Sequence, residues 1–547
     1  MIDINSVPSL VVLPHRPRHS EWAALLLVLG GFFAFNRATF NYYPAVWCDE
    51  VLYSEPAINL VQHGSYTTVA YEFQPPNTFP IVNCPLYGLA LVPWLAVNGT
   101  TLLAVRSFNF MLMALAVFLI WNVSWRFGLI RSSFLRLLIL LVLSLGYGMS
   151  YSYRCCRPDL LGMVCLLLLL LAFRIASARM RGLCLLGLAA VSVWIGLQVA
   201  LFAAFASFVA WVMLRRPTFR DLVFLALGMA AGGGSLLLFL SSKGVLAHFL
   251  PPVLGVMQNT YYAHPHQSMI SKLAMFARQT VIGHLGDFSM AALTPLLVLL
   301  ATVARKRLTV SMRRLVLYGV VLVFGEHAVF LMVGHFDLYY SYLLFVPTSL
   351  FLFAAYSELA AAESAGVCRW IKPAFAVSVA AAVLVGLPMR FGLLAATSKL
   401  VPRTEIQGIV ASQISSHDVV FSDYATFFEV KQVARTVYYP YCSSVLCPTG
   451  VPGRDLSPEE KRSVSVLVIR PADKDRLCAY FGGDWKATSA PFGECQDFSA
   501  LSRLPVVGER LVHYASQPQN ERFQLQVFRR LSSPAGSSLP APARAAD

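Results

Sequence analysis

Charge is what this sequence has least of. Only 13% of its 547 residues are charged, against 57% that are hydrophobic. A soluble globular chain carries about 25% charged residues. The deficit excludes a single soluble domain, because much of the chain has no water-facing side. A cleavable leader is missing too: residues 22–35 are apolar and follow Arg16 and Arg18, but no small-x-small site precedes Asn36. This segment reads as a retained first span. Lys and Arg are absent from residues 44–103. The tail after residue 398 has no glycine-rich phosphate loop and no metal-ligand spacing. No internal repeat is evident, whereas many transporters are built from repeats.

What is present is a series of apolar runs, long enough to span a bilayer. They lie near 22–43, 104–124, 137–153, 159–175, 183–197, 199–214, 222–240, 290–304, 315–333, 341–357 and 374–391. The stretch 182–214 is long for one span and short for two. Basic clusters decide between them. Arg126, Arg131 and Arg136 form the first; Arg174, Arg179 and Arg181 the second; Arg215, Arg216 and Arg220 the third. Arg305, Lys306, Arg307, Arg313 and Arg314 follow, then Arg369 and Lys372. Two spans within 182–214 put every cluster on the side of the N-terminus, as the positive-inside rule requires. The fold class expected is therefore mainly α: a bundle of about eleven spans with the N-terminus cytoplasmic. The formal charge of +15 is explained by these loops, so no nucleic-acid partner is called for.

The opposite face then carries a first outer loop at 44–103, a second at 241–289, a short third at 334–340 and the tail. Residues 1–397 form the transmembrane domain, 398–531 a small extracytoplasmic α/β domain and 532–547 a disordered, Pro/Ala/Ser-rich end. In the tail, helices are expected at 403–413, 424–433 and 472–481, and strands at 419–422, 437–441, 464–469 and 523–528. Cys442 with Cys447 and Cys478 with Cys495 could make disulfides in an oxidising compartment. Cys48 and Cys84 could staple the first outer loop, with free thiols an equal alternative.

Asp49 and Glu50 open the first outer loop, with Tyr53 just beyond. A carboxyl near a membrane end can be partly desolvated, which raises its pKa toward a useful general-base range. Taken alone, such a pair reads as solvated loop acids. Its context changes that reading. Asn59, Leu60 and Gly64 follow, then Pro85-Leu86-Tyr87; Arg106 opens the second span, and Arg154 to Asp159 lead into the fourth. These features, in this order, resemble the GT-C class of polyprenyl-phosphate-sugar-dependent glycosyltransferases, in particular the protein O-mannosyltransferase and aminoarabinose-transferase superfamily. The resemblance covers roughly residues 20–360 in layout and is best over 45–175. One departure stands out. Asn83 and Cys84 occupy the place of a Glu-Lys pair in the aminoarabinose-transferase branch. Neither a Lys contact to the donor phosphate nor a metal site using that Glu carries over, and the chain looks more like the broad bacterial branch.

The resemblance implies a membrane glycosyltransferase of the cell envelope, in the inner (plasma) membrane, moving a hexose or pentose from a polyprenyl phosphate to a lipid, glycan or protein acceptor. Asp49 is the candidate base, with Glu50 beside it. Tyr53, Arg106, Arg154, Arg157, Asp159, Tyr339 and Tyr340 are the candidates for the donor and its phosphate. Each arginine could instead anchor a helix at the headgroups, and the tyrosines could be an interfacial belt. No cofactor or metal is assigned. His264 and His266, two residues apart, leave a divalent cation open, though surface histidines are the stronger reading. Glu326-His327, inside a span, could pair with each other. The competing function is a transporter or flippase of lipid-linked sugars.

Overall fold

The computed structural model describes residues 17–69, 78–80, 84–215, 217–250, 271, 274, 288–303, 306–333, 338–361, 368–399, 401–443, 445–446, 455–505, 508–515 and 523–531. His264, His266, His284, His335, Asp337 and Cys447 lie outside them, as does the disordered end expected at 532–547.

Two compact units divide the chain. The first holds Met1–Pro44, Leu52–Thr68 and Phe73–Ala396; the second holds Thr397–Asp547 with the short segments Ala45–Val51 and Val69–Glu72. The acidic pair Asp49 and Glu50 is grouped with the tail.

The first unit is helical. Its elements are α1 (His19–Ala38), α2 (Cys48–His63), α3 (Leu86–Asn98), α4 (Leu102–Arg126), α5 (Ser133–Leu145), α6 (Tyr147–Arg154), α7 (Asp159–Ala172) and α8 (Ala178–Ile195). Then come α9 (Leu197–Leu214), α10 (Phe219–Ser242), α11 (Phe288–Thr302), α12 (Val310–Val333), α13 (Tyr342–Ala361), α14 (Cys368–Leu384) and α15 (Leu387–Thr397). Each apolar run read from the sequence contains a helix, although the first run leaves its helix at Ala38 and the third is broken at Gly146. Among the described residues, six helices are long and apolar enough to cross a membrane, or up to eight if the bent pairs α5–α6 and α14–α15 each count as one. Local chemistry sets the ends. Ser132, Ser177 and Thr218 accept hydrogen bonds from the first turns of α5, α8 and α10, satisfying amides that have no partner inside the helix. The ambiguous stretch resolves into two helices, α8 and α9, separated at Gly196.

Residues 44–103 contain α2 and α3. Pro56 and Pro93 lie inside these helices, each removing one backbone donor.

The second unit is a small α/β layer. Its strands are β1 (Val419–Ser422), β2 (Thr436–Tyr438), β3 (Val466–Ile469), β4 (Trp485–Ala487), β5 (Phe492–Gly493) and β6 (Gln524–Arg530), in the order β2-β1-β3-β6-β4, with β5 also on β6. β1 pairs in parallel with β2 and β3, while β6 runs antiparallel to β3, β4 and β5. β3 is buried along its whole length, which its unbroken run Val-Leu-Val-Ile requires. The expected strand at 437–441 is shorter and gives way to a 3-10 turn at Pro440–Cys442, where proline removes the ladder donor. One disulfide expectation, Cys478–Cys495, is corrected, and the alternative left open at Cys48 and Cys84 resolves to the unpaired form. Cys84, Cys478 and Cys495 are thiols, so neither Cys48–Cys84 nor Cys478–Cys495 forms. Cys84 packs instead on an apolar cluster with Val193, Ala200 and Leu236. Cys442 is also a thiol, its Sγ 3.9 Å from the Val69 carbonyl oxygen.

Candidate functional site

Asp49 and Glu50 occupy the first turn of α2, where the helix dipole favours carboxylates. Glu50 is fully buried and Asp49 half-buried. The Cys48 thiol lies 3.6 Å from Asp49 Oδ1 and donates to it. Tyr53 follows one helical turn after Asp49, on the same side of α2. The motif residues farther along α2 have structural work. Asn59 Nδ2 donates to the Thr67 carbonyl at 2.8 Å, and buried Glu55 accepts from Thr68 Oγ1. Gly64 closes the helix at φ 72°, a left-handed conformation that glycine adopts without strain, and its N–H reaches the Leu60 carbonyl at 3.0 Å.

A second group gathers on the link between α6 and α7. Asn109, in the middle of the apolar α4, donates to the carbonyls of Cys155 and Arg157. Its Oδ1 accepts from the Tyr87 hydroxyl at 3.0 Å, and that hydroxyl lies 3.1 Å from Cys156 Sγ. The link is thereby held in one shape. On it, Arg157 Nε donates to Asp159 Oδ2 at 2.9 Å, with the side chains 2% and 0% exposed. The Arg157 guanidinium lies 5.7 Å from the centre of the Tyr53 ring, which meets Tyr87 edge-on at 6.1 Å. Arg157, Asp159, Tyr53 and Tyr87 therefore converge.

Arg154 belongs to a different set. It is fully buried, and its three guanidinium nitrogens donate to the Tyr43 and Thr39 carbonyls, the Thr39 hydroxyl and Asn36 Oδ1. Arg106 donates to the Phe40 carbonyl and is within electrostatic range of Arg154. Both hold the chain that leaves α1. The donors of Arg154 are thus directed to carbonyl, hydroxyl and amide oxygens around the end of α1. Arg390, which the sequence did not single out, sits between the rings of Tyr43 and Tyr147 at 4.5 and 4.3 Å.

Leu338–Ser341 form a 3-10 turn leading into α13. Tyr340 is half-buried; the side chain of Tyr339 lies outside the described residues. Tyr342 is fully buried and within electrostatic range of Asp159, Arg157, Tyr340 and Glu326. Sequence reasoning missed Asn109 and Tyr342. The signal for Asn109 was a lone amide within an apolar span. Tyr342 gave none beyond its place next to a Tyr pair. At the position where the related branch carries Lys, burial pushes the Cys84 thiol up to about 11, only partly offset by a backbone hydrogen bond from Leu197. It is neutral at pH 7 and supplies no cation. No group of three or more metal-ligating side chains occurs among the described residues.

No family model matches the sequence, and no curated protein does. Solved structures do match. ArnT from Cupriavidus metallidurans in the apo state aligns with a TM-score of 0.52 and 13% identity, covering 95% of this chain and 100% of that one. The same protein bound to undecaprenyl phosphate aligns with a TM-score of 0.53 and 14% identity over the same shares. At this identity the likeness is one of fold, and it runs almost end to end: the chain shares the fold of these two structures.

Proposed function

We propose that the chain is an integral membrane glycosyltransferase that moves a sugar from a polyprenyl-phosphate donor to an acceptor at the extracytoplasmic face. The observation that carries this reading is the fold likeness, over 100% of its length, to a protein captured with undecaprenyl phosphate. The Arg157 cluster is in keeping with it. A buried guanidinium, fixed by a carboxylate and a ring face, is a preorganised donor for the charge that grows on a leaving phosphate. Asp159 holds Arg157, and Tyr53 and Tyr340 supply hydroxyls toward the donor. Arg106 and Arg154 act one step removed, by fixing the chain after α1.

In the reaction, an acceptor hydroxyl or amine attacks the anomeric carbon of the sugar. The bond from that carbon to the phosphate oxygen breaks, and polyprenyl phosphate leaves with the electron pair. The acceptor proton passes to the Asp49 carboxylate. Glu50, adjacent and buried, keeps the first turn of α2 in position. No metal step is invoked.

The test is release of polyprenyl phosphate by the purified full-length protein given a polyprenyl-phosphate sugar and an acceptor extract. Asp49→Asn should lower turnover by about 10²–10⁴-fold, the range for general-base catalysis. Undiminished turnover in Asp49→Asn would overturn its assignment as base. Movement of the lipid-linked sugar across a vesicle bilayer without transfer would favour a flippase.

A further inference from the structure

Glu326 is a carboxyl in the wrong solvent. It lies on α12, seven residues before the helix ends at Val333, or about 10 Å along the axis. It is 1% exposed, and neither carboxyl oxygen has a hydrogen-bond partner among the described residues. Such a group is costly to bury whether charged or neutral, unless something satisfies it. Two more polar groups share this condition. The Tyr342 hydroxyl, at the first residue of α13, is buried without a partner among the described residues, and so is the Ser341 hydroxyl before it. α12 and α13 pack against each other. Tyr342 is within electrostatic range of Glu326 on one side and of Arg157 and Asp159 on the other. Glu326 and Tyr342, both buried and unsatisfied among the described residues, are thus within electrostatic range of each other, Tyr342 is also in range of the buried cation proposed to hold phosphate, and Ser341 directly precedes Tyr342 in the chain.

We propose that Glu326, Tyr342 and Ser341 form the subsite for the sugar of the donor, binding its ring hydroxyls. The inference rests on the glycosyltransferase reading above and deepens it. The chemistry fits a hexose or pentose. A carboxyl accepts two hydroxyl protons, and tyrosine and serine hydroxyls both donate and accept, as alternating sugar hydroxyls demand. Water can fill these valences in the empty protein and leave when sugar hydroxyls replace it. A site with buried groups built to meet hydroxyls discriminates strongly against a ligand that lacks them. Here such discrimination separates the sugar-bearing lipid from the bare lipid phosphate that remains after transfer.

The experiment measures binding to the full-length protein in lipid nanodiscs. The probes are undecaprenyl phosphate and undecaprenyl phosphate carrying glucose, galactose, mannose or arabinose. Wild type should bind one sugar-bearing lipid more tightly than bare undecaprenyl phosphate. Glu326→Leu and Tyr342→Phe should weaken that lipid by about tenfold, roughly one lost hydrogen bond, and leave bare undecaprenyl phosphate within about twofold. Arg157→Lys, in contrast, should weaken both. If Glu326→Leu does not fold, Tyr342→Phe, which removes a single oxygen, decides the matter. A variant that weakens both lipids equally, or neither, overturns the subsite. So does wild type that binds bare and sugar-bearing lipids alike. Wild type that binds no undecaprenyl lipid at all fails the glycosyltransferase reading instead.

Discussion

Arg157 faces a carboxylate and a tyrosine ring at once, and nothing else in the described site combines charge, burial and fixed geometry in this way. Both partners of the ion pair are almost completely buried. Removing one partner of such a pair strands the other charge, at about 3–5 kcal/mol. Arg157→Met should therefore lower the unfolding midpoint of the detergent-solubilised protein substantially. Adding Asp159→Leu to it should recover most of the loss. A loss in the double variant equal to the sum of the two single losses would mean that the two side chains act independently. Asp418 offers a comparable case in the second unit. Burial alone would raise its pKa, but hydrogen bonds from Arg529 and from the Ser415 backbone and side chain outweigh it and hold the carboxyl below its ordinary value. Its folded pKa is depressed. Its contribution is therefore present above the unfolded value of about 3.9 and is lost as pH falls through it toward the folded value. The thermal midpoint should fall on acidification below about pH 4, and Asp418→Asn should flatten that acid limb. An unchanged acid limb in Asp418→Asn would remove the carboxyl from this role.

Among the elements, α8 and α10 pack directly against each other. Gly228 and Gly232, four residues apart on α10, lie on the backbone of α8: a Cβ at either would run into the carbonyl oxygen of Leu186 or of Ala190. Small residues at this spacing let membrane helices approach until their backbones touch. Gly234, two residues on, has nothing within 4 Å of a Cβ. Gly232→Leu should cost about 1–3 kcal/mol through overpacking, while Gly234→Leu should be close to neutral. Thermal denaturation of both variants checks this, and similar midpoints would contradict the contact. Elements also mark how far the sequence could be read. The apolar runs were legible because a span is a matter of local composition. Strands β1 and β3 were legible because their β-branched runs are continuous. α2 and α3 were not marked, since each contains a proline and the loop around them mixes acids, aromatics and small residues. The acidic pair and Tyr53 could be read because they lie in one short segment. The company of Arg157 could not. Tyr87, Asn109 and Cys156 meet across 22 and 69 residues of chain, and no local pattern records such a meeting. Charge likewise drew attention to both Arg154 and Arg157. Only their partners separate an arginine spent on carbonyls from one held by a carboxylate.

Across the whole molecule, the break at Gly196 decides the parity of the chain. Arg131 and Arg136 lie at the entrance to α5; the bent pair α5–α6 and then α7 lead to Arg174, Arg179 and Arg181. α8 and α9 lead to Arg215 and Arg220, α10 and α11 to Arg307 and Arg313, and α12 and α13 to Arg369 and Lys372. With the bent pair α5–α6 counted as one, two of the named helices separate each basic cluster from the next. If every segment crosses the bilayer, all the clusters return to one face, and only the bent pair α14–α15 remains to carry the chain to the other before the second unit begins. A single uninterrupted helix over 182–214 would have split the clusters between faces, against the strong preference of Lys and Arg for the cytoplasmic side. The second unit is therefore expected outside. Cys495 reports on this directly, because it is exposed whereas the other described cysteines are buried or half-buried. A membrane-impermeant maleimide should label the protein on intact cells or spheroplasts, and Cys495→Ser should abolish most of that signal. Labelling of Cys495 that requires permeabilisation would reverse the orientation. Asp49 and Glu50, grouped with the same unit, would then face the cytoplasm, and a transfer reaction at the extracytoplasmic face would have to be abandoned.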